Sequence, residues 1–432
     1  MVDSLPQFPP GFQFGVSTAS YQIEGAAAED GRGRSIWDTF SHTPGRTRDG
    51  DTGDVACDHY HRYAEDVTLM ADLGVDAYRF SVAWPRIQPE GSGPANAQGL
   101  DFYDRLVDAL GERGIAALPT LFHWDLPQAL EDRGGWLSRE TALRFGDYVA
   151  LVADRLGDRV RRWITLNEPV VQMAQGYAFG DHAPGRELGL GALPVAHHQL
   201  LAHGLAVRAL QGGGEVMITN NMTPVIADDP AAGMAYDAFH NRLFTDPVLL
   251  GSYPAFLADA LGDVVQDGDL DIISTPMDAL GVNYYNPTRV GAPEAADAPL
   301  PFETRPIDGV PTTAFGWPVV PSGLYDLLTG LRETYGDRLP PVYITENGCS
   351  TGDVLDDRFR IDYLDGHLRA VHRAITDGVD VRGYFVWSLL DNFEWAEGYS
   401  QRFGLVRVDF ETQQRTPRSS YRWLRDVLAG RS

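Results

Sequence analysis

Short apolar runs rich in β-branched and aromatic residues recur down the whole chain, and amphipathic stretches of helical period separate most of them. The runs at 12–20, 77–82, 115–122, 162–166, 216–220, 280–284, 342–345 and 383–388 read as strands. Among the helical stretches is 59–73, where Tyr60, Tyr63, Ala64, Val67, Met70 and Ala71 share one face and Gly74 ends the helix. Others are 141–156, with Ser138 ahead of it, 194–210, 324–335 and 359–377. Repeated βα units in this number predict an α/β fold whose parallel sheet closes into a barrel; a long open sheet is the less favoured arrangement.

Three segments break the alternation: 41–58, 177–191 and 287–318, each rich in Gly, Pro, Asp and Thr and each at or near a strand end. Barrel enzymes carry their site-forming loops at such positions, so these read as long βα loops and not as linkers. No internal repeat or low-complexity tract divides the chain, and residues 1–432 are therefore expected to form a single (β/α)8 TIM barrel.

Composition narrows the function classes. With 60 acidic against 35 basic residues the formal net charge is −25, which repels nucleic acid. Every Lys or Arg position is Arg, so Schiff-base, pyridoxal-phosphate and P-loop lysine chemistries are excluded. Cys57 and Cys349 match neither a disulfide framework nor a zinc spacing and read as small buried hydrophobes. The N-terminus has no basic segment followed by an apolar stretch, and no run approaches the roughly 18 apolar residues of a membrane span. A soluble, cytoplasmic protein without membrane partners is the expectation. Asp49, Asp51 and Asp54 lack the later bidentate Glu of a calcium loop, and His197, His198 and His203 lack the i, i+4 pairing of a zinc site. No metal or cofactor is expected.

Two glutamates stand at C-terminal strand ends, where a barrel places its reacting groups. Glu168 lies in Thr165-Leu166-Asn167-Glu168-Pro169 and Glu346 in Thr345-Glu346-Asn347-Gly348. A pair of carboxyl groups is what glycoside cleavage needs, one to protonate the departing oxygen and one to meet the oxocarbenium-like carbon. Around them the chain resembles the family 1 glycoside hydrolases over essentially its full length, and the β-glucosidases most. The resemblance rests on FQFGVSTASYQIEG at 12–25, FHWDLP at 122–127, the two glutamate motifs, GVNYY at 281–285 and WSLLDNFEW at 387–395, in family order.

The resemblance implies Glu168 as acid/base and Glu346 as nucleophile, with Arg79 near the nucleophile to favour its charged form, Tyr285 adding a hydrogen bond, and Asn167 beside the acid. It implies sugar binding by Gln22, His123, Trp124, Asn167, Asn283, Trp387, Glu394 and Trp395, and an aromatic platform for the leaving group at Trp317. Glu168, next to a negative charge, is expected to have a raised pKa and to be protonated. Glu394 is expected to accept from the 4- and 6-hydroxyls of an unphosphorylated sugar and to repel a 6-phosphate. The implied reaction is removal of terminal β-D-glucosyl residues, and of galactosyl or fucosyl residues, with retention and without a cofactor. Small β-glucosides and cello-oligosaccharides are the implied substrates, with a place in carbohydrate metabolism and cellulose degradation. A transglycosylating enzyme and a carbohydrate-binding barrel without turnover are the alternatives. Gln401 and Arg407 depart from the family pattern, which often has Lys and an aromatic residue there, and Cys349 stands where a small residue is common.

Overall fold

The computed structural model describes residues 5–295, 298 and 300–431. The apolar runs pair in the order in which they occur. Strands β1 (Gln13–Ser17), β2 (Ala77–Ser81), β3 (Ala116–Thr120), β4 (Arg162–Asn167), β5 (Glu215–Asn221), β6 (Ala279–Asn283), β7 (Val342–Asn347) and β8 (Val381–Trp387) lie parallel, each beside its neighbours in sequence. Pairing of β8 with β1, from Gln13 opposite Gly383 to Ser17 opposite Trp387, closes the barrel. The predicted closed parallel barrel is thus observed. Most predicted strands differ from the observed ones by one or two residues at an end; the first, read as 12–20, stops at Ser17 because Ser20–Ile23 turns into a short helix.

Inside the barrel, seven strands each contribute one side chain to a separate apolar cluster: Ala77, Leu118, Ile164, Met217, Ala279, Tyr343 and Phe385. The remaining strand, β1, contributes Gly15 at this level. A Cβ there would fall 2.3 Å from the Phe385 ring, so the large residue on β8 requires the small one on β1.

Outside the barrel run α1 (His59–Leu73), α2 (Ala97–Glu112), α3 (Arg139–Leu156), α4 (Leu193–Ala209), α5 (Leu243–Leu250), α6 (Pro321–Tyr335), α7 (Arg358–Thr376) and α8 (Ser419–Ala429). Helix α1 ends as the sequence predicts, at Gly74 with φ 80°, whose N–H reaches the Met70 carbonyl. Its buried stripe differs from the predicted one. Ala64 is exposed, while Asp66 is fully buried because His59 Nδ1 (2.7 Å) and Arg415 Nε (2.9 Å) hydrogen-bond to its carboxylate. Helix α4 is buried on nearly every side, which explains its three histidines. His197 bonds Tyr253 and Asp269, His198 bonds the Trp136 carbonyl, and His203 bonds Thr165.

The segments predicted as loops do sit after strand ends, and the third carries structure of its own. Within 287–318, of which residues 296, 297 and 299 lie outside the described residues, strands Thr288–Gly291 and Glu303–Arg305 form a three-stranded sheet with Val225–Ala227. After β8 the antiparallel strands Val406–Val408 and Arg415–Pro417 make a two-stranded sheet. Arg418 then ties this region down through a two-pronged bond to buried Asp391, at 2.8 and 2.9 Å. Of the Asp trio in 41–58, Asp51 accepts from the Tyr399 N–H and Asp54 from the His42 ring. Both cysteines are buried and unpaired. No helix among the described residues is long and apolar enough to cross a membrane.

Phe385 is completely buried in the barrel interior. Phe385→Ala is expected to lower unfolding stability by about 3–5 kcal/mol, read from the shift in a urea transition; a shift under about 1 kcal/mol would show that the barrel interior repacks freely.

Candidate active site

The C-terminal ends of the strands converge on a cavity of about 450 Å³, of the size that holds a sugar and part of a substituent. Nine of the thirteen side chains singled out in the sequence line it: His123, Trp124, Glu168, Tyr285, Trp317, Glu346, Trp387, Glu394 and Trp395. The other four, Gln22, Arg79, Asn167 and Asn283, are 0–1% exposed and reach the cavity through hydrogen bonds to its wall.

Local backbone irregularity aims these groups. The pairing of β4 with β5 shifts register between Ile164 and Asn167, and β7 shifts against both neighbours near Glu346. Bulges of this kind redirect a side chain at the rim of a barrel. Glu168 follows with φ 45°, and Trp124 (φ 75°) and Trp395 (φ 52°) also occupy the left-handed region that bulky residues avoid. Three of nine such non-glycine residues among those described therefore sit in one cavity wall, a clustering typical of functional sites.

Arg79, on β2, organises the polar floor. Its Nη1 donates to Glu346 Oε1 at 2.5 Å and to the Thr345 carbonyl at 3.0 Å, its Nη2 to Asn167 Oδ1 at 2.5 Å, and its Nε to Thr120 Oγ1 at 3.1 Å. Tyr285 donates to the second oxygen of Glu346 at 2.7 Å. Glu168 has amides only: Asn283 Nδ2 at 2.7 Å and Asn221 Nδ2 at 3.0 Å, both to Oε1. Asn283 in turn accepts from Thr345, and Asn167 donates to the His123 ring, so both amides are engaged with protein groups.

Two buried polar atoms in this wall have no protein partner: Gln22 Oε1 and His123 Nδ1. Burial, and then Arg79, hold the pKa of His123 well below the usual value, so the ring is neutral. With Nε2 accepting from Asn167, the proton sits on Nδ1. An unmatched acceptor and an unmatched donor thus stand in this wall, and Gln22 also contacts Glu394 at 3.3 Å. Hydroxyl groups, each both donor and acceptor, suit such a wall.

Burial is the largest influence on all three carboxyl groups, ahead of the neighbouring charges stressed in the sequence reading. It raises Glu168 to about 8, with the Glu346 charge as the second cause. It raises Glu346 as well, although Arg79 and Tyr285 work against it. Arg79 favours the charged form of Glu346, and the cation offsets part of the desolvation and not all of it. Glu394 is likewise raised to about 8, by burial and then by Glu346. Asp181 and Glu397 also line the cavity, Glu397 paired with Arg48 at 2.9 Å, and among the described residues no arginine is part of the lining.

Asn221, at the end of β5, was not singled out from sequence, nor were Gln175, Asp181 and His182 in the wall. Position after a strand was the available signal for Asn221; nothing local distinguishes the other three. Trp317 lies edge-on to Tyr285 (5.1 Å between rings) and stacks on Phe315 (4.4 Å). Gln401 bonds Ser350, and Arg407 makes an exposed pair with Asp353.

A carboxyl whose pKa is about 8 when folded and near 4.5 when unfolded holds more protons in the native state between those values, so stability falls as pH rises through that window. Glu168→Gln removes this dependence. The variant is expected to match the parent below pH 4.5 and to melt several degrees higher above pH 8; an equal difference at both pH values would contradict the raised pKa.

The chain is similar to "Thermostable beta-glucosidase B" of Thermobispora bispora, 52% identical over 98% of this chain and 90% of that protein. It is similar to the "Bifunctional beta-D-glucosidase/beta-D-fucosidase" of Bifidobacterium breve, 47% identical over 98% and 99%. Among solved structures it superposes on the beta-glucosidase of Thermotoga maritima in complex with noeuromycin, with a TM-score of 0.93, 45% identity and 99% of both chains covered. A family model described as Glycosyl hydrolase family 1 matches residues 5–432, and the chain belongs to that family.

Proposed function

We propose that the chain is a retaining β-glucosidase that removes terminal non-reducing β-D-glucosyl residues from small β-glucosides and cello-oligosaccharides, with Glu346 as nucleophile and Glu168 as acid and base. Fucosyl residues are further substrates, in keeping with the activity named for the Bifidobacterium relative, and galactosyl residues are included on the family resemblance of the sugar-binding side chains. One observation carries the reading: two buried glutamates share a cavity but not an environment. Glu346 has a guanidinium on one oxygen and a phenol on the other, whereas Glu168 has only neutral amides. When the pair holds a single proton, the proton resides on Glu168.

In the first step the Glu346 carboxylate attacks the anomeric carbon while Glu168 gives its proton to the departing oxygen. The bond to the leaving group breaks and a glycosyl ester forms on Glu346. Esterification removes the negative charge that helped to raise Glu168 and leaves Arg79 without its anionic partner. Both changes favour the ionised form of Glu168, which then takes a proton from water as the water attacks the same carbon. The ester bond breaks, Glu346 leaves as a carboxylate, and two inversions give retention. Gln22, His123 and Glu394 supply donors and acceptors for the sugar hydroxyls, Trp387 and Trp395 the apolar face, and Trp317 a platform for the leaving group. Two unpaired thiols suit a reducing, cytoplasmic compartment.

Glu346→Gly is expected to lose at least about 10⁴-fold in turnover of an aryl β-glucoside and to recover part of it with azide, giving an α-glucosyl azide; recovery with a β product would reverse the assignment. Glu168→Ala is expected to slow glucosides with poor leaving groups far more than activated aryl glucosides, and equal losses would remove its role as acid. Because acidic side chains line the cavity and among the described residues no arginine does, 4-nitrophenyl β-D-glucoside 6-phosphate is expected to have a kcat/KM at least about 100-fold below that of the unphosphorylated compound. Comparable values would show that the wall accepts an anion.

A further inference from the structure

Three buried carboxyl groups lie in or beside the segments that carry Gln22 and His123: Glu24, Asp38 and Asp125. Two of them are matched by cations. Glu24 accepts from Arg86 Nε at 3.0 Å and from the Tyr103 hydroxyl at 2.5 Å, and Asp38 accepts from Arg32 Nη1 at 2.8 Å and from the Ser35 N–H at 2.6 Å. Asp125 is completely buried and makes no ion pair among the described residues. Its Oδ2 accepts from Ser20 Oγ at 2.7 Å, and its Oδ1 has no protein partner among those residues. Burial raises its pKa to about 7, against the pull of Ser20 and Arg32. A carboxyl group enclosed on such terms costs stability, and groups of this kind concentrate at functional sites.

Ser20 is the group that Asp125 holds. It opens the short helix Ser20–Ile23, its N–H donates to Ser81 Oγ at 2.7 Å, and Ser81 Oγ donates to Ser20 Oγ at 2.9 Å. The loops after β1 and β3 are thereby tied to each other and to the end of β2. Gln22 lies on the Ser20 helix, with Nε2 committed to the Phe393 carbonyl at 2.9 Å and to Asn392 Oδ1 at 3.0 Å. On the other side Asp125 directly follows His123 and Trp124, and Trp124 is held at φ 75° with its Nε1 on the Asn167 carbonyl at 2.9 Å. Gln22 Oε1 and His123 Nδ1, the two orphan atoms of the cavity wall, thus sit on segments joined by the bond from Ser20 to Asp125.

We propose that Asp125 is a positioning residue: through Ser20 it fixes the separation of Gln22 from His123, and with it the fit of the wall to the hydroxyl pattern of a glucosyl unit. This rests on the glucosidase reading above, because only a bound sugar makes that separation matter. An acceptor and a donor held apart at one distance suit sugar hydroxyls at one spacing, and misplacing either by about 1 Å weakens its bond and the alignment of the reacting carbon.

The test is a double-mutant cycle in the full chain, read as kcat/KM on 4-nitrophenyl β-D-glucoside. Asp125→Ala and Ser20→Ala are each expected to lower kcat/KM at least about tenfold, whereas Asp125→Asn, which keeps an acceptor for Ser20, recovers most of that loss. In a Gln22→Ala background the two alanine changes are expected to cost less than about threefold, because the atom they misplace is already gone. The ratio of kcat/KM on 4-nitrophenyl to that on phenyl β-D-glucoside is expected to stay as in the unmodified enzyme, since Glu168 is untouched. Losses that add in full to that of Gln22→Ala, an Asp125→Asn variant as impaired as Asp125→Ala, or a changed leaving-group ratio would each overturn the proposal while leaving the glucosidase reading intact. If Asp125→Ala fails to fold, Ser20→Ala carries the comparison, and an unchanged kcat/KM in that variant overturns the proposal equally. Absence of turnover of the aryl glucoside by the unmodified enzyme would instead remove the reading on which it rests.

Discussion

The site depends on one buried guanidinium. Arg79 is fully enclosed, and its planar fork reaches groups on β3, β4 and β7 at once: Thr120, Asn167, and Thr345 with Glu346. A carboxylate withdrawn from water is costly unless a cation or several donors meet it. Here the cation comes from a strand interior instead of a mobile surface side chain, so neutralisation and positioning are the same contact. In a chain whose Lys and Arg positions are all Arg, that geometry recurs: Arg415 on Asp66 and Arg418 on Asp391 fix the region after β8 by similar buried pairs.

Placing three carboxyl groups in one poorly hydrated cavity has a further effect. Burial first, and the charge of Glu346 second, lift Glu168 and Glu394 to about 8. Only Glu346 has a charged partner, and this difference in partners separates groups that are otherwise chemically identical. The cost is carried by the barrel below, where Phe385 and its neighbours form a close-packed plug that keeps the strand ends fixed.

Much of this was legible beforehand because it is periodic or local. Eight apolar runs alternating with helical stretches gave the closed barrel, and Gly74 and Ser138 marked helix boundaries by capping chemistry that needs no tertiary partner. The burial of Asp66 in α1 was not legible, since its partners are His59, two turns earlier on the same helical face, and Arg415 at the far end of the chain. The sheet within 287–318 was missed for a similar reason: its three-residue strand Val225–Ala227 has a partner more than sixty residues later and is too short to show a period.

From sequence alone came the reaction class: two glutamates in recognisable settings at strand ends, with the surrounding motifs in order, because residue identity and strand direction are properties of the chain. Tertiary structure decided how those residues act on one another. Which carboxyl meets Arg79, which amides meet Glu168 and how far burial raises each group all follow from distances between segments remote in sequence. Electrostatic and packing energies depend on those distances and on exclusion of water, and neither quantity is written in local order.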